Sequence, residues 1–66
     1  MNRIQVPRPV YEGLEAVRQS GAISMFDYGS VLQMTDLLNN KDAARWLRDH
    51  KREYLESVLY GIEPED

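Results

Sequence analysis

Cysteine is absent from these 66 residues, and histidine, tryptophan and phenylalanine occur once each. Without cysteine there is no disulfide framework and no thiolate metal site. A single histidine leaves a structural zinc site short of ligands. Long hydrophobic runs are missing too. Nothing approaches the roughly 20 apolar residues that span a bilayer, and residues 1–20 lack the apolar core of a signal peptide. A soluble, cytoplasmic protein without membrane contact is expected. Basic residues are outnumbered, eight against eleven acidic, for a formal net charge of −3. That balance argues against non-specific nucleic-acid binding, which depends on excess Lys and Arg. Neither GxGxxG nor GxxxxGK[ST] occurs, so there is no glycine loop to cradle phosphate. No Ser stands beside a base, and no carboxylates pair on an apolar face as acid–base chemistry requires. The sequence therefore predicts neither an enzyme nor a bound cofactor.

What is present is apolar material, 42% of the chain. A domain this small buries only about 60% of the surface its unfolded chain exposes. With no staple available, stability must come from helix packing, and the apolar surplus predicts a homo-oligomer or a partner surface.

The pattern predicts an all-α, compact three-helix domain, with helices at about 9–20, 28–39 and 41–61, an extended arm over 1–8 and an acidic tail over 62–66. In the first helix Val10, Leu14 and Val17 repeat at helical spacing. Gly13 in its interior points to close approach of another helix, and Gly21 to a left-handed stop. In the arm, Ile4 and Val6 alternate and can lie against the body, while Pro7 or Pro9 can occupy a first helical turn. Ile23, Met25 and Phe26 are expected to plug the core. Asp27 is the N-cap of the second helix, with Ser24 as the alternative. Val31, Met34, Thr35 and Leu38 then line one face, and Leu37 falls outside it, as core or as a partner contact. Asn39-Asn40 ends that helix, and Asn40 can cap the next. The third helix is predicted as the spine. Ala43, Trp46, Leu47, His50, Tyr54, Leu55, Val58, Leu59 and Ile62 make its apolar stripe, on which the first two helices pack. Gly61 closes it, Pro64 prevents its resumption, and Glu63, Glu65 and Asp66 fray.

Lys41, Arg45, Arg48 and Arg52 form a second stripe on this helix. Between 41 and 52 stand five basic and two acidic residues. Arg45–Asp49 and Arg52–Glu56 are spaced as ion pairs. The stripe reads either as a solvated face, paired with Glu12, Glu15 or Asp36, or as a contact for an acidic protein or a phosphate-bearing ligand. Trp46 is core or an interface anchor, and Tyr60, at the stripe's edge, is a candidate contact. His50 reads as a structural imidazole bonded to a nearby carbonyl or carboxylate.

Arg18-Gln19-Ser20-Gly21, Met25-Phe26-Asp27, Asp49-His50-Lys51-Arg52-Glu53-Tyr54 and Gly61 occur in an order and spacing that resembles a family of small proteins. These are encoded by phages and prophages and classed only as a domain of unknown function. The resemblance covers residues 9–61. It departs at Ser24, where members often carry Asn, and in a second helix less polar than theirs. It implies a bacterial cytoplasmic setting and stoichiometric binding of a host protein, some small phage proteins acting in this way to disarm immunity. Three functions follow as expectations: an inhibitor or modulator of a host protein, an oligomeric binder that sequesters a nucleotide signal, and a small DNA-binding regulator using helices 2 and 3.

Overall fold

The computed structural model describes residues 3–65. Along the chain run β1 (Ile4–Val6), α1 (Arg8–Ser20), α2 (Tyr28–Leu37), α3 (Lys41–Asp49), α4 (Lys51–Tyr60) and β2 (Ile62–Pro64). The architecture is mainly helical, as expected. It has four helices rather than three, and the two ends of the described chain pair as strands.

Local chemistry sets most of the boundaries. Pro7 (φ −54°, ψ 145°) is the N-cap of α1, and its carbonyl accepts from the Tyr11 amide at 2.9 Å. Pro9 sits inside the first turn, where its missing N–H costs no hydrogen bond. At the other end Gly21 is left-handed (φ 65°) and its amide donates to Arg18 O at 3.2 Å. Asp27 caps α2: Oδ1 accepts from the Ser30 amide at 3.3 Å and Oδ2 from the Ser30 hydroxyl at 2.7 Å. Ser24 instead turns the connector, its Oγ accepting from the Phe26 amide at 3.2 Å. Asn39 takes φ 59° between α2 and α3, a conformation Asn tolerates better than most residues. Asn40 then caps α3 through Oδ1, which accepts from the Ala43 amide at 3.0 Å.

Helices α1, α2 and α3 pack on one another. Val10, Leu14 and Val17 from α1, Val31 from α2 and Leu47 from α3 are buried with Val6 and Tyr54. Gly13 lies where α1 meets the start of α3. A Cβ there would stand 2.8 Å from the Ala43 Cβ and 2.4 Å from the Asn40 Nδ2, so only glycine admits this approach. Thr35 is fully buried and spends its hydroxyl on Leu32 O at 2.7 Å.

Two expectations fail at the C-terminal end. The predicted helix 41–61 breaks at His50 (φ −133°, ψ 48°), which separates α3 from α4. Neither Pro nor Gly is responsible. The Trp46 carbonyl accepts the His50 amide at 2.8 Å and also meets His50 Nδ1 at 3.1 Å. The ladder is interrupted one carbonyl further on: Leu47 O, which a continuous helix would offer to the Lys51 amide, accepts the Tyr28 hydroxyl instead, and a side chain inserted into the ladder is a recognised cause of a kink. The imidazole also stacks on the Trp46 ring, with centroids 5.0 Å apart and planes at 16°. Past the kink α4 turns Tyr54 and Ser57 inward and leaves Leu55 and Leu59 exposed. Its backbone lies against β1, while Tyr54 and Val58 of the predicted stripe still reach the core.

The second failure concerns the termini. Ile62–Pro64 is a strand, parallel to Ile4–Val6, in the register Ile4↔Ile62, Gln5↔Glu63 and Val6↔Pro64. The Ile4 amide donates to Gly61 O at 3.0 Å and the Glu65 amide to Val6 O at 2.8 Å. Ile62 through Pro64 are half-buried rather than frayed. Asp66 lies outside the described residues, as do residues 1–2 of the arm. Phe26 (62% exposed) and Leu38 (50%) were expected in the core and are not there. Ile23 and Met25 do pack against it.

Candidate functional site

The six residues singled out in the sequence do not converge. Lys41, Arg45 and Arg48 lie exposed along α3, while Arg52 stands beyond the kink on α4. Arg48 Nη2 approaches Asp36 Oδ2 on α2 at 3.5 Å, with both side chains about half exposed. Such a pair contributes about 0–1 kcal/mol. Among the described residues Arg45–Asp49 and Arg52–Glu56 do not close to ion-pair distance. Trp46 is half-buried and packed against the core. With Arg45, His50 and Pro9 it lines a shallow depression of about 290 Å³. His50 is a half-buried structural imidazole. A carbonyl oxygen can only accept, so its contact with Trp46 O places the proton on Nδ1.

A second depression, of about 470 Å³, runs along the outer face of α4 and is lined by Lys51, Arg52, Leu55, Glu56 and Leu59. Lys51 Nζ lies 5.1 Å from the centroid of the Tyr28 ring, a cation–π distance. The Tyr28 hydroxyl donates to Leu47 O at 2.7 Å. Tyr28 and Tyr54 meet edge-on at 6.1 Å.

Tyr60 belongs to a third place, a groove of about 420 Å³ between α1, the connector, α4 and the start of β2. Its rim carries Arg3, Tyr11, Glu15 and Arg18, and its floor includes Leu14 and Tyr54. Arg18 grips Glu15 with two hydrogen bonds, 3.1 Å from Nε and 2.7 Å from Nη2. That contact holds the Glu15 carboxyl below its ordinary range and raises the Arg18 guanidinium. The Tyr54 hydroxyl donates to Met25 O at 2.5 Å. Burial pushes its pKa up to about 12, because the phenolate would lose its hydration. No three His, Asp or Glu side chains converge on a metal-sized site among the described residues. Nor is any described helix long and apolar enough to cross a membrane.

Several exposed residues lie outside the six singled out in the sequence. Leu37 (75% exposed) and Leu38 (50%) end α2 and lead through the Asn39–Asn40 turn directly into Lys41. Leu37 had a sequence signal, since it falls outside the stripe of its helix. Leu55 and Leu59 were counted in the apolar stripe of the third helix, yet at 100° per residue they stand at its outer edge, and the structure turns them out. Arg3 and Arg18 reach one groove through the pairing of the chain ends, which no local pattern announces.

Residues 8–62 match the family described as Domain of unknown function (DUF5049), a span from the first residue of α1 to the first residue of β2. No curated protein and no solved structure matches the chain.

Proposed function

Because the chain belongs to the DUF5049 family, whose description carries no activity, we propose from its surface that it is a non-enzymatic binding module for another protein. The observation that carries this reading is the exposure of Leu37 and Leu38 at the corner where the basic face of α3 begins. Two large aliphatic side chains in water do nothing for an isolated monomer, and exposed apolar groups beside charge are typical of contact surfaces. Lys41, Arg45 and Arg48 supply the charge, so the partner presents an apolar surface with an acidic rim. The resemblance of the Ser20-Gly21 and Met25-Phe26-Asp27 connector to that of phage-encoded proteins favours a host protein in the bacterial cytoplasm as that partner. Inhibition or modulation by occupancy, as in phage proteins that disarm host defence, is the corresponding mode of action.

Capture from a bacterial lysate on immobilised protein tests the reading. A partner retained by the wild type should be lost by Lys41→Glu/Arg45→Glu/Arg48→Glu and by Leu37→Ser/Leu38→Ser. It should be kept by Gln19→Ala, which alters an exposed position at the end of α1. Circular dichroism verifies that each variant is folded. Equal retention by the charge-reversed and wild-type proteins would refute the assignment.

The tyrosine-and-arginine groove supports a second reading, a binder of a nucleotide. Arg3 and Arg18 would meet phosphate, and Tyr11 or Tyr60 would stack on the base. A tight ligand raises the melting temperature by mass action. An unchanged melting temperature across mono-, di- and cyclic nucleotides removes this reading.

A further inference from the structure

The outer face of α4 is separate from the basic corner of α3, and its composition is different in kind. Arg52 and Glu56 are one helical turn apart, flanking Leu55 and Leu59 in one depression. Leu55 is 38% and Leu59 66% exposed. Neither Arg52 nor Glu56 has an ion-pair partner among the described residues. A face made to recognise one acidic or one basic partner would carry a single sign. This one carries both: Lys51 is engaged over the Tyr28 ring, and Arg52 and Glu56, one turn apart, are left self-complementary under a two-fold axis.

We propose that this face is the contact between two copies of the chain, with α4 antiparallel to its mate. In an antiparallel pair the same flank of each helix meets its counterpart with direction reversed. A two-fold axis passing between Arg52 and Glu56 sets Arg52 of each copy against Glu56 of the other, forming two reciprocal ion pairs from groups unpaired in the monomer. The same axis brings Leu55 against Leu55 of the copy. Leu59 then lies on the aliphatic stem of the opposing Arg52, since a rise of 1.5 Å per residue keeps these positions within one turn. An isologous contact of this kind closes at two copies and goes no further. One ten-residue helix per subunit makes a small interface, so a weak dimer, dissociating in the micromolar range, is expected.

Sedimentation velocity across about 1 to about 500 μM protein, a range that brackets such a constant, is the deciding measurement. The wild type should pass from monomer to dimer. Arg52→Glu alone and Glu56→Arg alone should each stay monomeric, because each sets like charges against one another. An equimolar mixture of these two variants should dimerise, since each supplies the sign the other needs. The double variant Arg52→Glu/Glu56→Arg should dimerise by itself. Both positions are exposed and outside the core, and circular dichroism establishes that the variants fold. A wild type monomeric at the highest concentration overturns the proposal, as do single variants that still dimerise or a mixture that stays monomeric.

Discussion

At the scale of single residues, Gly13 sets the approach of α1 to α3 and Tyr54 ties α4 to the connector. Replacing Gly13 with Ala drives a methyl group into the Asn40 amide and the Ala43 methyl, and the Asn40 amide belongs to the cap of α3. Overpacking of this kind costs roughly 1–3 kcal/mol. In a domain of this size each kcal/mol moves the melting temperature by about 4–8 °C. Thermal denaturation of Gly13→Ala should therefore show a clear drop, and an unchanged midpoint would mean α1 and α3 are farther apart than described. Tyr54 makes stability depend on alkaline pH. Burial holds its folded pKa at about 12, above the ordinary tyrosine value of 10.0. Between those values the unfolded chain has lost the phenol proton while the folded chain keeps it. Stability present below pH 10 is then lost as pH rises toward 12. Urea titrations at intervals over that window should show the midpoint falling in the wild type and falling less in Tyr54→Phe. The same variant should also be less stable at neutral pH by about 1 kcal/mol, the usual worth of one hydrogen bond.

At the scale of elements, what was legible in the sequence was what is local. Gly21, Asp27 and Asn40 declared their caps, because each cap is made within three residues of its own position. Val10, Leu14 and Val17 declared the buried face of α1, because helical periodicity is intrinsic to the sequence. The kink at His50 was illegible. Its cause is a side chain from another helix, Tyr28, taking the Leu47 carbonyl out of the ladder, with no Pro or Gly to mark the spot, and the periodicity of 43–58 runs through it nearly undisturbed. The strands were illegible for another reason. Three residues acquire strand character only from a partner, and here the partner lies at the opposite end of the sequence. Of the candidate site residues, Lys41, Arg45 and Arg48 share a face as their spacing dictates, whereas Arg52 was placed with them only by assuming a straight helix. Deleting residues 62–66 tests the corrected view of the tail. A frayed tail would be dispensable. A strand that pairs with β1 should cost about 2–3 kcal/mol, at about 1 kcal/mol for each backbone hydrogen bond lost. The Val6 carbonyl then loses the Glu65 amide that it accepts, and urea denaturation of the truncated chain measures the loss.

At the scale of the whole molecule, the two proposed contacts respond differently to salt. Raising ionic strength from about 0.1 M to about 1 M shortens the Debye length from about 10 Å to about 3 Å. Capture of a partner through Lys41, Arg45 and Arg48 should weaken severely over that range. Pairing through α4 should weaken less, because Leu55 and Leu59 contribute apolar burial that salt does not screen. Capture and sedimentation repeated at both salt concentrations decide this. A partner retained equally at both would place recognition on the leucines of the α2–α3 corner rather than on its cations.

The parallel pairing of Ile4–Val6 with Ile62–Pro64 also has a consequence in time. Of the described elements, translation delivers β1 first and β2 last. Val6, fully buried in the finished core, has no strand beside it until residues 62–64 have left the ribosome. Helices α1 to α3 can assemble on the nascent chain while the first-made strand waits, exposed, for the last. Pairing β1 with β2 therefore closes a loop that contains all four helices, and the entropy of that closure must be met before the strand bonds can reward it.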